Sequence, residues 1–182
     1  MIDQTQVQAF QQRLASAPEQ LYALLDGALI PNLLALLSEH QLTHICLLPG
    51  ELEPELAMAA PYLVQLPATA AFTALFLMQG VGRHWGVLAA SRADFRKLRM
   101  HFRKFLSVWG PDGAPLYFRY YDPRVLRTYL PTCNADELKA LFGPVTAYYA
   151  EGAQPATLVR FTVADTGLGQ QPLSLARPGP AA

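Results

Sequence analysis

The sequence predicts an α/β chain: a mixed β-sheet of four to six strands flanked by helices, with a small helical element near residues 123–142. Three observations predict it. Two apolar runs of strand length, residues 20–29 and 43–48, bracket a Leu-rich helical segment. Apolar residues at helical spacing mark residues 92–109. From Leu116 to Tyr121 the residues alternate as in a strand and then meet Asp122-Pro123, a helix start.

In chain order, residues 3–17 carry Val7, Phe10 and Leu14 at helical spacing, an amphipathic helix with one thin apolar stripe. Residues 20–29 read as a buried strand ending at Asp26-Gly27, with helix a competitor because Leu and Ala favour it. Pro31 fits the first turn of a helix over 32–40, with Leu33, Leu34, Leu36 and Leu37 as its apolar face. Thr43–Leu48 is a second strand, closed by Pro49-Gly50, so that the three elements read as a βαβ unit. No Gly-rich phosphate loop follows either strand. Glu51, Glu53 and Glu55 read as a solvated turn.

Tyr62–Leu66 is a short strand between prolines, and residues 68–79 form a nearly all-apolar helix broken at Gly80-Val81-Gly82. Trp85–Ala90 is a strand, with Ser91 expected to cap the helix over 92–109. One face of that helix carries Phe95, Leu98, Phe102, Phe105, Leu106 and Trp109. A neighbouring face carries Arg92, Arg96, Arg99 and Arg103, joined by Lys97 and Lys104; it is a solvated outer face or a basic ridge for an acidic partner. Gly110-Pro111-Asp112-Gly113 turns the chain into the next strand. Short helices follow over 124–130 and 135–142, the second capped by Asn134 and stopped by Gly143-Pro144. Val145–Ala150 and Thr157–Val163 form a hairpin. Residues 1–164 make one domain, and 165–182, rich in Gly, Pro and Gln, read as a mobile tail.

Composition narrows the function classes. Apolar residues are 52% and charged residues 15% of the 182, which favours a protein with a partner-covered surface. A formal net charge of +0 supplies no global field for nucleic acid, and the basic face lacks aromatic residues. No apolar run spans a bilayer and no signal-peptide pattern opens the chain, so the expectation is a cytoplasmic protein that is not secreted and does not insert in membranes. Cys46 and Cys133 have no ligand-like spacing, and no nucleophile elbow or HExxH occurs, so no catalytic, metal or cofactor residues are expected. His44 and Cys46 share a strand face, but a buried small residue beside a strand-end histidine explains them better than an activated thiol.

The corner Phe118–Leu126 (FRYYDPRVL) concentrates Arg119, Asp122 and Arg124. An inward Arg119 needs a carboxylate, Asp122 or Asp26, which makes Arg119 and Asp122 a structural clamp. Tyr120, Tyr121 and Arg124 are of the types enriched at interface hot spots and, with Arg96, Arg99 and Arg103, are the candidate partner-binding residues.

The same corner carries a resemblance. FRYYDPRVL, then Leu130-Pro131 and Leu141–Pro144, preceded by LYALLDGA (21–28), APYLV (60–64) and WGVL (85–88), resembles the adaptor or chaperone family of bacterial type VI secretion, called Tap or TEC, over residues 20–150 or so. The resemblance implies a cytosolic, non-enzymatic protein without cofactor that binds one toxin effector and loads it onto the VgrG spike. The alternative is a general protein-interaction or nucleic-acid-binding module using residues 92–104. Many relatives carry a longer helical C-terminal lobe than the hairpin and tail seen after residue 143.

Overall fold

The computed structural model describes residues 1–110 and 112–177. Its order is α1 (Gln4–Ala15), β1 (Gln20–Asp26), α2 (Leu33–Glu39), β2 (His44–Cys46), α3 (Pro54–Ala59), β3 (Pro61–Gln65), α4 (Ala71–Leu75), β4 (Gly86–Ser91), α5 (Phe95–Arg103), β5 (Ser107–Trp109), β6 (Pro115–Tyr117), α6 (Pro123–Tyr129), α7 (Ala135–Phe142), β7 (Val145–Glu151), β8 (Thr157–Ala164) and β9 (Gly167–Ser174). Seven strands form one sheet in the order β2-β3-β1-β4-β7-β8-β9, and β5 and β6 form a separate two-stranded ribbon.

The α/β class holds, but the expected mixed sheet of four to six strands is corrected: seven strands pair, and every described strand pair is antiparallel. β1 and β2 run in the same direction, as a βαβ reading requires, but they do not touch: β3 inserts between them and pairs antiparallel with both. The reason lies in β3 itself. Pro61–Val64 is buried on both faces and takes the interior place, which leaves the three-residue β2 at the edge.

The sheet separates two cores. Leu21, Ala23 and Leu25 of β1 face α1, α2 and α4, while Tyr22 and Leu24 face α5, α6 and α7. An uninterrupted apolar strand is what a sheet covered on both sides needs. The first helix packs as its spacing predicts, with Val7, Phe10 and Leu14 buried. Residues 68–79 divide into α4 and a π-helical turn over Phe76–Gly80. Gly143 ends α7 at φ 45°, and a β-carbon there would stand 2.6 Å from the His101 ring, so both its conformation and the close approach demand glycine.

Three expectations are corrected. Ser91 does not cap α5: its hydroxyl donates to the Pro144 carbonyl (2.6 Å) and accepts from the Ala93 amide (3.0 Å), and Asp94 caps instead. The helix stops at Arg103, so Trp109 lies in β5. The segment expected to be a mobile tail supplies β9, paired with β8 along its whole length, and Leu175 beyond it is buried. The Leu175 amide donates to the Ala156 carbonyl, which fixes the ladder's phase and turns Pro172 outward, where its missing N–H costs the sheet nothing. Pro111 of the predicted turn and residues 178–182 of the predicted tail lie outside the described residues. Among the described residues, no helix is long and apolar enough to cross a membrane.

Candidate docking surface

The chain leaves β6 at Tyr117 and turns into α6 through Phe118–Asp122, which is not the continued strand that the alternation predicts. Both tyrosines of the turn point inward. Tyr120 is fully buried, donates to the Phe102 carbonyl (2.7 Å) and packs its ring over Phe102. Tyr121 is buried beside it, its hydroxyl 3.3 Å from that of Tyr117. Burial raises the pKa of both phenols well above the ordinary tyrosine value. The expectation that Tyr120 and Tyr121 contact a partner is therefore corrected: consecutive residues both buried mean a turn driven into the core, where no partner reaches them.

Just before them, Arg119 crosses the Tyr121 ring face, 5.9 Å from its centroid, and reaches Asp26 at the end of β1 (2.5 Å), with Asp122 at 3.9 Å. Its side chain stays 43% exposed, whereas Asp26 is 1% exposed. Asp26 also accepts from the Ala28 amide (3.1 Å). Asp122 caps α6 through the Arg124 amide (2.9 Å) and holds the Arg124 side chain in a two-point contact, Nε at 3.0 Å and Nη2 at 2.6 Å. Burial pushes the Asp122 pKa up, but the Arg124 hydrogen bonds and the two guanidinium charges outweigh it, and the net shift is downward. Arg127 donates to the Glu151 carbonyl (2.6 Å), and the Glu151 carboxylate accepts the His84 amide (2.8 Å) and pairs with its Nδ1 (2.7 Å). The corner thus ties β1, β7, α6 and the turn before β4 together. Arg124 is half exposed, but Asp122 engages its Nε and Nη2.

The cations of α5 behave differently. Asp94 accepts from the Lys97 amide and starts the helix (2.7 Å), and Leu98 and Phe102 bury one side. At about 3.6 residues per turn the remaining arc reads Arg99, Arg103, Arg96, Met100, Lys104 and Lys97. Among the described residues none of these cations forms an ion pair; Arg92, before the helix, pairs with Glu19 (3.1 Å). The Arg99 Nε is enclosed with no acceptor.

The ribbon is the element that the sequence reading missed. Trp109 is 78%, Leu116 50% and Tyr117 52% exposed. Register places Trp109 opposite Pro115 and Tyr117 opposite Ser107, so one ribbon face shows both rings. The Gly-Pro-Asp-Gly turn between two short apolar runs was the available signal, hidden because Leu106 and Trp109 fall in phase with the helix before them. Beside it, Phe118, Val125 and Tyr129 with Arg124, Thr128 and Thr132 line an open groove of about 440 Å³.

His44 and Cys46 do not form a reactive pair. His44 directs Nδ1 to the Leu42 carbonyl (2.8 Å), away from a role on Cys46. Burial raises the Cys46 thiol pKa against the pull of Leu48, Tyr62, Arg103 and Arg99, the reverse of an activated thiolate. Among the described residues, no group of three or more His, Cys, Asp or Glu is placed to hold a metal.

A family model described as "Domain of unknown function (DUF4123)" matches residues 21–140, from β1 into α7. No curated protein and no solved structure matches the chain.

Proposed function

Since the chain belongs to the DUF4123 domain family, and since the motifs over residues 20–150 or so resemble type VI secretion adaptors, we propose that it is a cytoplasmic adaptor or chaperone. It binds a toxin effector and delivers it to the VgrG spike, working without catalysis or cofactor. The observation that carries this reading is the β5–β6 ribbon, with Trp109, Leu116 and Tyr117 uncovered on a frame that is pinned by the ionic corner. Exposed aromatics on a supported element fit the anchor of a protein interface better than they fit a free surface.

Co-expression with a candidate effector and spike protein, followed by affinity purification, tests the proposal. The wild-type chain is expected to retain the effector, and Trp109→Ala with Leu116→Ala to lose most of it without a change in thermal midpoint. Retention of no effector by the wild type, or equal retention by the double variant, counts against it. Arg124→Glu is a poor probe, because it sets a second carboxylate against the buried Asp122. A nucleic-acid reading would rest on the α5 arc alone, and the zero net charge and the lack of aromatic residues on that arc weigh against it.

A further inference from the structure

β2 is an edge strand with a usable edge. The Leu47 amide donates to Pro61 and the Gln65 amide to Thr43, so residues 43, 45 and 47 face β3. His44 and Cys46 therefore turn their N–H and C=O groups away from the sheet, and these four groups find no other backbone partner among the described residues. Natural sheets commonly blunt such an edge with charge or proline, and β2 (His-Ile-Cys) carries no proline and no Lys, Arg, Asp or Glu.

The α5 arc borders that edge. His101, on the opposite side of the helix, donates Nε2–H to the Leu141 carbonyl of α7 (2.9 Å), which turns Arg99 and Arg103 away from α7. Ile45 packs into the same core as Leu98 and Phe102, so α5 lies over the Ile45 face of β2. Arg103 and Arg99 stand close enough to act on the Cys46 thiol, whose pKa burial nevertheless raises. The edge supplies directional backbone groups on one side, and the helix supplies cations without counterions on the other.

We infer that this edge receives an extended acidic segment of a partner protein, added as a strand to β2, with acidic side chains at alternate positions meeting Arg99 and Arg103. The inference rests on the adaptor reading and names the chemistry of the segment that one of its surfaces takes. Alternation follows from the strand: only every second side chain of an added strand points to the α5 side.

The test uses the full chain and a fluorescein-labelled peptide of about eight residues alternating Glu and Val, a common strand length, followed by fluorescence anisotropy. The peptide is expected to bind at low salt, and a Lys-Val peptide of the same length is expected not to. Arg99→Glu with Arg103→Glu should weaken binding at least about tenfold. His44→Pro removes one outward donor and leaves the β3 ladder intact, so it should weaken binding with an unchanged circular dichroism spectrum. A peptide methylated on its pairing-edge amides asks the same question without altering the protein, and should fail to bind. Full binding of the methylated peptide, or by the charge-reversed protein, overturns the proposal. So does displacement of the acidic peptide by single-stranded RNA that binds more tightly, which would make the arc a nucleic-acid surface. Peptide binding without effector retention would fault the adaptor reading alone, and effector retention without peptide binding would fault the β2 edge alone.

Discussion

Asp26 and Asp122 at the corner are 1% and 3% exposed, and each meets a guanidinium, whereas Arg96, Arg99 and Arg103 on α5 meet no carboxylate among the described residues. Both regions are rich in arginine, so the arginines alone do not separate them. Partner satisfaction does. A carboxylate taken out of water must be paired, and the pair then holds backbone segments in place. A cation left in water with no partner holds nothing in place and stays available to whatever arrives. The clamp sits at the corner, and Arg96, Arg99 and Arg103 of the expected contact set lie apart from it on α5.

The sharpest way to break this comparison is to remove one guanidinium from each region. Arg119→Ala leaves Asp26 buried with the Ala28 amide and no cation within ion-pair distance. Removing a partner from a fully buried pair costs about 3–5 kcal/mol, and the partial exposure of Arg119 lowers that to about 2–3 kcal/mol. Arg96→Ala, at an exposed position of α5, is expected to stay within about 0.5 kcal/mol of wild type. Urea midpoints of the two variants measured side by side decide it, and equal losses would erase the distinction.

Acid titration sharpens it further. Asp122 ionises below its usual value of 3.8, so the stabilisation it supplies is complete above pH 3.8 and is lost as pH falls through its lower folded value. Asp122→Asn keeps a capping oxygen but loses the charge contact with Arg124, at a cost of about 1 kcal/mol. The gap between wild type and variant should stay open near neutrality and close in acid below pH 3.8. His101 gives a second window. Burial lowers its pKa beneath 6.5, with Lys104 acting the same way and the Leu141 hydrogen bond opposing, so its contribution is full above pH 6.5 and fades as pH drops towards the lower folded value. His101→Gln, which can still donate to Leu141, should remove that slope. A pH scan of the chemical midpoint measures both.

How much of this was legible in the sequence depends on the range of the forces involved. Asp122 and Pro123 announced the start of α6 because capping is settled within one helical turn. Arg119 announced its need for a carboxylate, but the choice of Asp26 over Asp122 required knowing that β1 ends beside the turn. Tyr120 and Tyr121 were read as alternating, and only the packing around Phe102 shows why both turn inward. β9 was read as a tail because Gly, Gln and Pro dominate it, yet backbone pairing with β8 needs no apolar side chains and tolerates an outward proline. Helical spacing alone placed Arg96, Arg99 and Arg103 of the α5 arc; Arg92, expected with them, falls before the helix and pairs with Glu19, and the lack of counterions was not legible.

The smallest expected effect is also the most diagnostic of what α5 is for. Arg96 occupies the second position of the helix, where the exposed amides favour a negative side chain, and α5 has no acidic residue in its first turn. Arg96→Glu would answer the helix dipole, face Arg99 three residues on, and relieve repulsion along the arc. A gain of about 0.3–0.5 kcal/mol is expected from these terms, read as a small rise in thermal midpoint, while affinity for an acidic peptide should fall. A chain that becomes more stable and binds less well on one substitution has been carrying that charge for a partner. If Arg96→Glu instead destabilises the fold, the arc is part of the frame, and the contrast with the corner fails at its own centre.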